Sequence, residues 1–379
     1  MKIIILGAGL VGGPMAADLA ADSNLDVTVA DINPKSLEKA KALNNAMKTL
    51  QKDLSKPEEV TLLVRDYDMA INAVPGWMGY QTLEAIIKAG KNVVDIAFFP
   101  EDPFQLDNLA KEMGVTAVMD CGVAPGMSNV LIGYADHLFD ETLNAEIYVG
   151  GLPVVREWPY EYKAVFSPAD VIEEYTRPAR YVENGALVIR EALSDPEYMH
   201  FDGVGTLESF NSDGLRSLAD TIKAPNLKEK TLRYPGHIQI MKILRETGFF
   251  SKEPMNINGV EISPLDFTSK ILFPAWQMKE GDEDVTVMKV IIDGMKDGRK
   301  LRYEYDLHDR FDKVSGVHSM ARTTGYTATV ALRMIAAGLY QQKGVSVPEF
   351  IGKHPECVKF LLDGLKQRNV VYQERIIEG

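Results

Sequence analysis

The sequence predicts an α/β fold, a doubly wound parallel sheet with an inserted α+β catalytic domain whose sheet is largely antiparallel. Three observations carry that prediction. Four apolar residues, 3–6, run directly into Gly7-Ala8-Gly9-Leu10-Val11-Gly12 and then into a helical pattern. From there to residue 121, short apolar runs alternate with helical stretches at the spacing of a parallel sheet. Past residue 122 the runs lengthen, alternate in polarity and meet at Asn-Gly and Asp-Gly turns, as antiparallel strands do.

Taken in order, the first element is a strand at residues 3–6, apolar throughout as a strand covered on both faces must be. In the turn that follows, Gly7 allows the tight bend and Gly9, lacking a Cβ, lets a pyrophosphate lie against the backbone. Gly12 lets the helix pack close on the strand, and the helix start at Leu10-Val11-Gly12 presents free N–H groups and positive dipole. A second strand, residues 27–30, ends in Asp31, where a dinucleotide motif needs a carboxylate for the ribose hydroxyls. This combination is a Rossmann dinucleotide site. Asp31 would repel the extra phosphate of NADP, and Ile32-Asn33-Pro34 offers no arginine to receive one, with Lys35 the only nearby cation. NAD is therefore favoured over NADP.

A helix over 34–43 leads to a strand near 46–50 and a turn at 52–54. A strand over 68–75 is broken by Pro75 and Gly76. A helix at 81–89 closes at Gly90, a strand follows at 92–96, a helix at 104–113 closes at Gly114, and a strand spans 115–119. Ligands bind at the carboxyl ends of such strands. Asp53, Ala73, Val74, Pro75, Asp95, Asp120 and Gly122 stand there and join the glycine turn and Asp31 as cofactor-side candidates. Further on, residues 145–149 read as a strand, 180–189 as a hairpin around Asn184-Gly185, and 285–292 with 300–307 as a pair turning at Lys296-Asp297-Gly298. Helical patterns return at 323–337 and 357–366. The expected domains are 1–121 for the nucleotide, 122–321 for substrate and oligomerisation, and 322–379 as a helical return onto the first.

Composition narrows the function classes. The chain has 379 residues, 46% hydrophobic and 25% charged, an ordinary balance for a soluble protein. A net charge of −13 argues against nucleic acid, whose binding needs a basic face. Two cysteines, Cys121 and Cys357, form no framework, and no signal peptide or span of about 20 apolar residues is present, so a cytoplasmic protein without membrane contact is expected. The six histidines show no ligand spacing, and no metal is expected.

Further residues carry a resemblance. Val123-Ala124-Pro125-Gly126-Met127-Ser128-Asn129, Tyr148-Val149-Gly150-Gly151-Leu152-Pro153, Leu207-Glu208-Ser209-Phe210, Thr231-Leu232-Arg233-Tyr234-Pro235-Gly236-His237 and Met320-Ala321-Arg322-Thr323-Thr324 resemble the saccharopine dehydrogenase superfamily. The likeness is strongest to its NAD-dependent lysine 6-dehydrogenase branch and runs through nearly the whole chain. It implies a nucleotide domain with an inserted catalytic domain, oxidation of a carbon–nitrogen bond with NAD or NADP, and a homodimer or larger homo-oligomer. Two stretches depart from it. Ala97-Phe98-Phe99-Pro100 stands where lysine dehydrogenases tend to carry glycine–glycine–histidine, and Asn211-Ser212-Asp213-Gly214 where they have a histidine and a threonine.

Amine oxidation by hydride transfer needs an unprotonated nitrogen, a group to hold its proton and, for an amino acid, a carboxylate clamp. Arg233 is the first choice for the clamp, because a guanidinium grips a carboxylate bidentately; it reads equally as a surface or interdomain ion pair. Arg322 is the second choice. His237 is the candidate titrating group, with an ordinary pKa near ~6.5, and Glu208 and Tyr162 are candidates for holding the substrate's ammonium or relaying its proton. Together these imply an NAD-dependent oxidoreductase acting on a small amino-acid substrate, lysine or a saccharopine-like adduct. A polyamine-type reductase or synthase, or a non-catalytic NAD-binding sensor, are the alternatives.

Overall fold

The computed structural model describes residues Met1–Gly379, and the chain divides into two compact units. Unit 1 comprises Met1–Asp140 with Asp312–Tyr372, and unit 2 comprises Glu141–Phe311 with Gln373–Gly379. Against the expected limits at 121/122 and 321/322, the units divide at 140/141 and 311/312, so the middle segment is shorter at both ends. The helix that follows the sixth strand stays with the nucleotide unit, and the last residues of the chain join unit 2.

Unit 1 opens with β1 (Lys2–Leu6), α1 (Gly12–Leu19), β2 (Asp26–Asp31), α2 (Pro34–Leu43), β3 (Lys48–Gln51), α3 (Pro57–Val64), β4 (Met69–Asn72), α4 (Gly76–Lys88), β5 (Asn92–Asp95), α5 (Asp107–Glu112), β6 (Thr116–Val118) and α6 (Met127–Leu138). Side chains of residues 3–6 in β1 are fully buried, as a strand sandwiched between helical layers requires. Helix α2 starts where Asn33 accepts the Lys35 N–H at 3.0 Å and Pro34 takes the first position. Helix α4 starts at Gly76, five residues before the expected start: Pro75 sits at its N-cap, where its missing N–H costs nothing.

Unit 2 contains β7 (Glu141–Pro153), α7 (Pro168–Thr176), β8 (Ala179–Glu183), β9 (Ala186–Arg190), β10 (Glu197–Phe201), β11 (Gly205–Asn211), α8 (Leu218–Thr221), β12 (Asn226–Arg233), α9 (His237–Glu246), β13 (Met255–Ile257), β14 (Val260–Ile262), α10 (Pro264–Trp276), β15 (Asp284–Lys296) and β16 (Arg299–Arg310). The chain then returns to unit 1 as α11 (Ser319–Ala336), β17 (Gly344–Ser346), α12 (Pro348–Gly352) and α13 (Pro355–Lys366), and ends in β18 (Tyr372–Glu378).

Sheet order in unit 1 is β17-β6-β5-β4-β1-β2-β3, with every pair parallel. The strand order turns back at β1 and β4, which makes the crevice beyond their carboxyl ends the ligand position of such a sheet. Unit 2 is built on a sheet of order β10-β11-β12-β7-β15-β16-β18, with β8 and β9 attached through β12. Its long pairs β7–β15 and β15–β16 are antiparallel, while β12 runs parallel to β7. The turns at Asn184-Gly185 and Asp297-Gly298 have positive φ at both residues, the conformation those dipeptides favour.

A charge cluster holds the returning helices on α1. The Asp18 carboxylate accepts from Arg333 Nη1 (2.7 Å), Arg368 Nε (2.6 Å) and Thr329 Oγ1 (2.5 Å), and Arg333 Nε also reaches Asp22 (2.7 Å). These groups are largely buried, so removing one partner would strand the others, at a cost of about 3–5 kcal/mol. No helix is long and apolar enough to cross a membrane.

Candidate active site

The glycine turn of unit 1 has the geometry its spacing requires. Gly7 lies at φ +106°, and a Cβ on it would collide with the Ala73 carbonyl, while one on Gly12 would collide with the Gly7 carbonyl. Gly9, in contrast, faces open space. Helix α1 has no side-chain cap; Gly13 donates to the Gly9 carbonyl (3.1 Å) and Pro14 has no N–H, which leaves the start at Val11 and Gly12 to face an anion. Asp31 ends β2 with both carboxylate oxygens committed to the backbone, Oδ2 to the Ala8 N–H (2.7 Å) and Oδ1 to the Asn33 N–H (2.8 Å). The carboxylate is thus fixed against the glycine turn itself. An open glycine, an uncapped helix start and a locked carboxylate fit a dinucleotide's pyrophosphate and ribose.

The other cofactor-side candidates fall into two groups. Ala73, Val74 and Pro75 leave β4 beside Gly7, tied there by the Ala73 N–H to the Leu6 carbonyl (2.9 Å). Asp95, wholly buried, accepts from Asn72 Nδ2 (2.6 Å) and the Ala97 N–H (2.7 Å), so it ties the ends of β4 and β5 together. Asp120, at φ +48°, follows β6, and the Gly122 carbonyl receives the Met127 N–H that starts α6. Asp53 stands apart: it follows β3 at the sheet's edge, where the Ser55 backbone and hydroxyl hold its carboxyl below the ordinary range. Cys121 is buried, and that burial, followed by Asp120 and Asp95, pushes its thiol up to about 12, which leaves it un-ionised.

In unit 2, four of the five catalytic candidates come together where β11 and β12 meet α9. The turn Tyr234-Pro235-Gly236 joins β12 to α9 and brings Arg233 and His237 into one buried cluster. Arg233, 2% exposed, donates from Nε to Tyr175 Oη (3.1 Å), from Nη1 to the Leu232 carbonyl (3.0 Å) and from Nη2 to Glu174 (2.6 Å). Its guanidinium lies 4.5 Å above the Tyr162 ring, and the Tyr162 hydroxyl is buried without a hydrogen-bond partner. Glu208 faces Arg233 across the β11–β12 pair and accepts the Gly236 N–H (3.2 Å). Arg322 is elsewhere: it lies on α11 in unit 1 and donates to the Arg368 carbonyl (2.9 Å).

His237 requires a correction. Its Nδ1 contacts the Tyr160 carbonyl (2.8 Å), which can only accept, so Nδ1 carries the proton. Nε2 is then an acceptor, and the Tyr175 hydroxyl donates to it (2.9 Å) while receiving the Arg233 Nε–H. Burial, reinforced by the nearby Arg233 charge, pulls the imidazole down to about 3. The expected titration near neutrality is therefore absent; His237 is a neutral imidazole that orients Tyr175, and through it Arg233. Around this chain pack Phe210, Ile238, Met241 and Trp276, whose indole N–H is also buried without a partner.

Two family models match the chain, with limits that differ from those of the two units. Residues 3–118 match the saccharopine dehydrogenase NADP binding domain, and residues 122–371 the saccharopine dehydrogenase C-terminal domain. The chain belongs to the saccharopine dehydrogenase family. It is 26% identical to the carboxyaminopropylagmatine dehydrogenase of Synechocystis sp., over 98% of each chain. It is 22% identical to the mitochondrial alpha-aminoadipic semialdehyde synthase of Mus musculus over 92% of this chain, which spans 45% of that longer protein. Its fold superposes on the saccharopine dehydrogenase (L-Glu forming) of Saccharomyces cerevisiae with a TM-score of 0.79, at 18% identity and 99% coverage of both chains.

For this family member, sequence reading missed Glu174, Tyr175 and Tyr160. No short motif marks them. The one available signal is the apolar spacing Val171, Ile172, Tyr175, which places Tyr175 on the buried face of α7.

Proposed function

We propose that this chain is a nicotinamide-dinucleotide-dependent oxidoreductase acting on the C–N bond of an amino acid or amino-acid adduct. The observation that carries the reading is the Gly7–Gly12 turn with Asp31 locked beside it, in a chain that matches both family domains. A bound nicotinamide would supply the hydride acceptor or donor. The chain's own residues bind and orient. Arg233 has two of its five N–H groups uncommitted and Tyr162 offers an unpartnered hydroxyl, so these are the proposed carboxylate-binding groups. Glu208, held by the Gly236 N–H, is proposed for the substrate's ammonium.

For the cofactor we favour NAD, because Asp31 would face a 2′-phosphate with no arginine among residues 31–40 to offset it, although the matching family model is named for NADP. One observation supports a second reading of the substrate. The Synechocystis relative, matched end to end, is named for carboxyaminopropylagmatine, so a carboxylated polyamine-type amine stands beside lysine and saccharopine. The working form is proposed to be a homodimer or larger, joined through unit 2.

The test is a cofactor-reduction screen at alkaline pH with lysine, saccharopine and carboxylated polyamine adducts, run separately with NAD and NADP. Turnover with a carboxyl-bearing amine, faster with NAD, is expected. Turnover with none of them, alongside measurable NAD binding, would remove the oxidoreductase reading.

A further inference from the structure

Sheet order gives the dinucleotide site a direction. Asp31 closes β2 and marks the adenosine ribose, and the Gly7–Gly12 turn after β1 marks the pyrophosphate. Because the strands run β5-β4-β1-β2, the second nucleoside, which carries the nicotinamide, falls past β1 at the carboxyl ends of β4 and β5. Trp77 stands at that end. It is the second residue of α4, and 72% of it is exposed.

The backbone that carries this indole is held firmly. Asn72, wholly buried at the end of β4, donates from Nδ2 to the Gly79 carbonyl (3.1 Å) and to Asp95 (2.6 Å). Gly79 lies so close to Ala97 and Phe99 that a Cβ on it would collide with both, and Tyr80 meets the Phe99 ring edge-on at 5.8 Å. The first turn of α4 is therefore fixed to the ends of β4 and β5, while its largest side chain is left in water. Cα–Cβ bonds tilt toward a helix's N-terminus, which inclines Trp77 toward the crevice. Gln81, Glu84 and Lys88 follow on the same outer stripe, the last two paired at 2.8 Å. The indole thus heads a polar stripe and belongs to no apolar patch.

Charge on this half of the crevice has one sign. Asp95 ends β5 and Asp120 follows β6, both buried, and residues 73–80, 96–101 and 119–126 contain no lysine or arginine. An indole face and nearby carboxylates both favour a planar cation. The nicotinamide ring is such a cation in the oxidised dinucleotide and is neutral in the reduced one. We infer that Trp77 lies against the nicotinamide half of the bound dinucleotide and holds the oxidised form more tightly than the reduced form. The inference rests on the dinucleotide reading of the Gly7–Gly12 turn and adds to it a residue that selects the redox state, in favour of accepting hydride.

Calorimetry on the full-length chain tests this with NAD⁺, NADH and ADP-ribose, which lacks the nicotinamide, or with their 2′-phosphorylated counterparts if those bind more tightly. In Trp77→Leu the oxidised dinucleotide should bind about two- to thirtyfold more weakly. The reduced one should lose clearly less, and ADP-ribose should bind as before. Trp77→Phe, a weaker aromatic surface, should fall between. Trp158→Leu, which removes an 88% exposed indole in unit 2, is the control and should leave all three affinities unchanged. Should Trp77→Leu fail to fold, Trp77→Phe is read against the same three ligands. Equal losses for the oxidised and reduced forms, a matching loss for ADP-ribose, or no loss at all overturns the role of Trp77 and leaves the dinucleotide site standing. Failure of the unmutated chain to bind any of the three overturns the site and the inference together.

Discussion

Arg233 has three N–H groups committed before any substrate arrives, to a hydroxyl and a carboxylate on α7 and a carbonyl on its own strand β12. Such a guanidinium is held in plane, and lysine cannot reproduce the fork. Arg233→Lys should therefore lower kcat/KM about ten- to a hundredfold, the equivalent of a lost charge-assisted hydrogen bond of roughly 1.5–3 kcal/mol. If the arginine binds substrate carboxylate, the loss falls on carboxylated amines and largely spares a matching amine without the carboxylate; equal loss on both would show that it serves the fold alone. Tyr175→Phe removes the hydroxyl that links Arg233 to His237 and strands the imidazole Nε2. It should raise KM for carboxylated substrates more than it lowers kcat, and leave NAD affinity unchanged by calorimetry. On the other unit, Asp31→Ala should weaken NAD and narrow its margin over NADP. Equal calorimetric affinity of the unmutated chain for both cofactors would end the argument from charge.

At the scale of elements, β12 carries the most burdened side chain. Glu229 points into space that Gly214 leaves by having no Cβ, and accepts from Ser212 Oγ (2.7 Å) and the Gly214 N–H (3.0 Å). Burial, against the Ser212 hydrogen bond, raises its carboxyl to about 8, while an unfolded glutamate titrates near ~4.3. The folded state therefore holds this proton more tightly. Its stabilisation is complete below the unfolded value and is lost as pH rises through about 8. Glu229→Gln, which cannot ionise, should flatten the fall in Tm between pH 5 and 9 and melt higher than the parent at pH 9; parallel profiles for the two proteins would refute the assignment. Elements of this kind differ in how far sequence reveals them. Helix α2 was legible from Pro34 to Leu43 because Asn33 and Pro34 announce its start in adjacent residues. The hairpin turns were legible because Asn-Gly and Asp-Gly encode φ locally. Helix α3 was passed over, although Pro57-Glu58-Glu59 marks its first turn and Val60 and Val64 its buried side. In the site, Arg233 and His237 could be joined because one turn separates them. Their partner Tyr175 lies 58 residues from Arg233, a pairing that only the folded sheet makes, and the burial that neutralises His237 is equally absent from any local pattern.

Across the whole molecule, unit 1 is made of two stretches of chain with unit 2 between them. Its seventh strand, β17, pairs with β6 from the far side of that gap, and α11, with Arg368 just beyond α13, locks to α1 through Asp18. A chain cut after Phe311 should consequently lose the first unit as well as the return, and limited proteolysis should digest residues 1–140 readily; a protease-resistant N-terminal fragment would contradict this. There is a consequence for synthesis. The ribosome delivers the glycine turn first and the strand that closes its sheet near the end, so β6 waits with one edge unpaired while all of unit 2 emerges. A nascent sheet in that condition is open to pairing with a neighbouring nascent chain. Three residues, Thr116–Val118, are all that β6 exposes in the interval, and so short an edge gives a stranger little to hold.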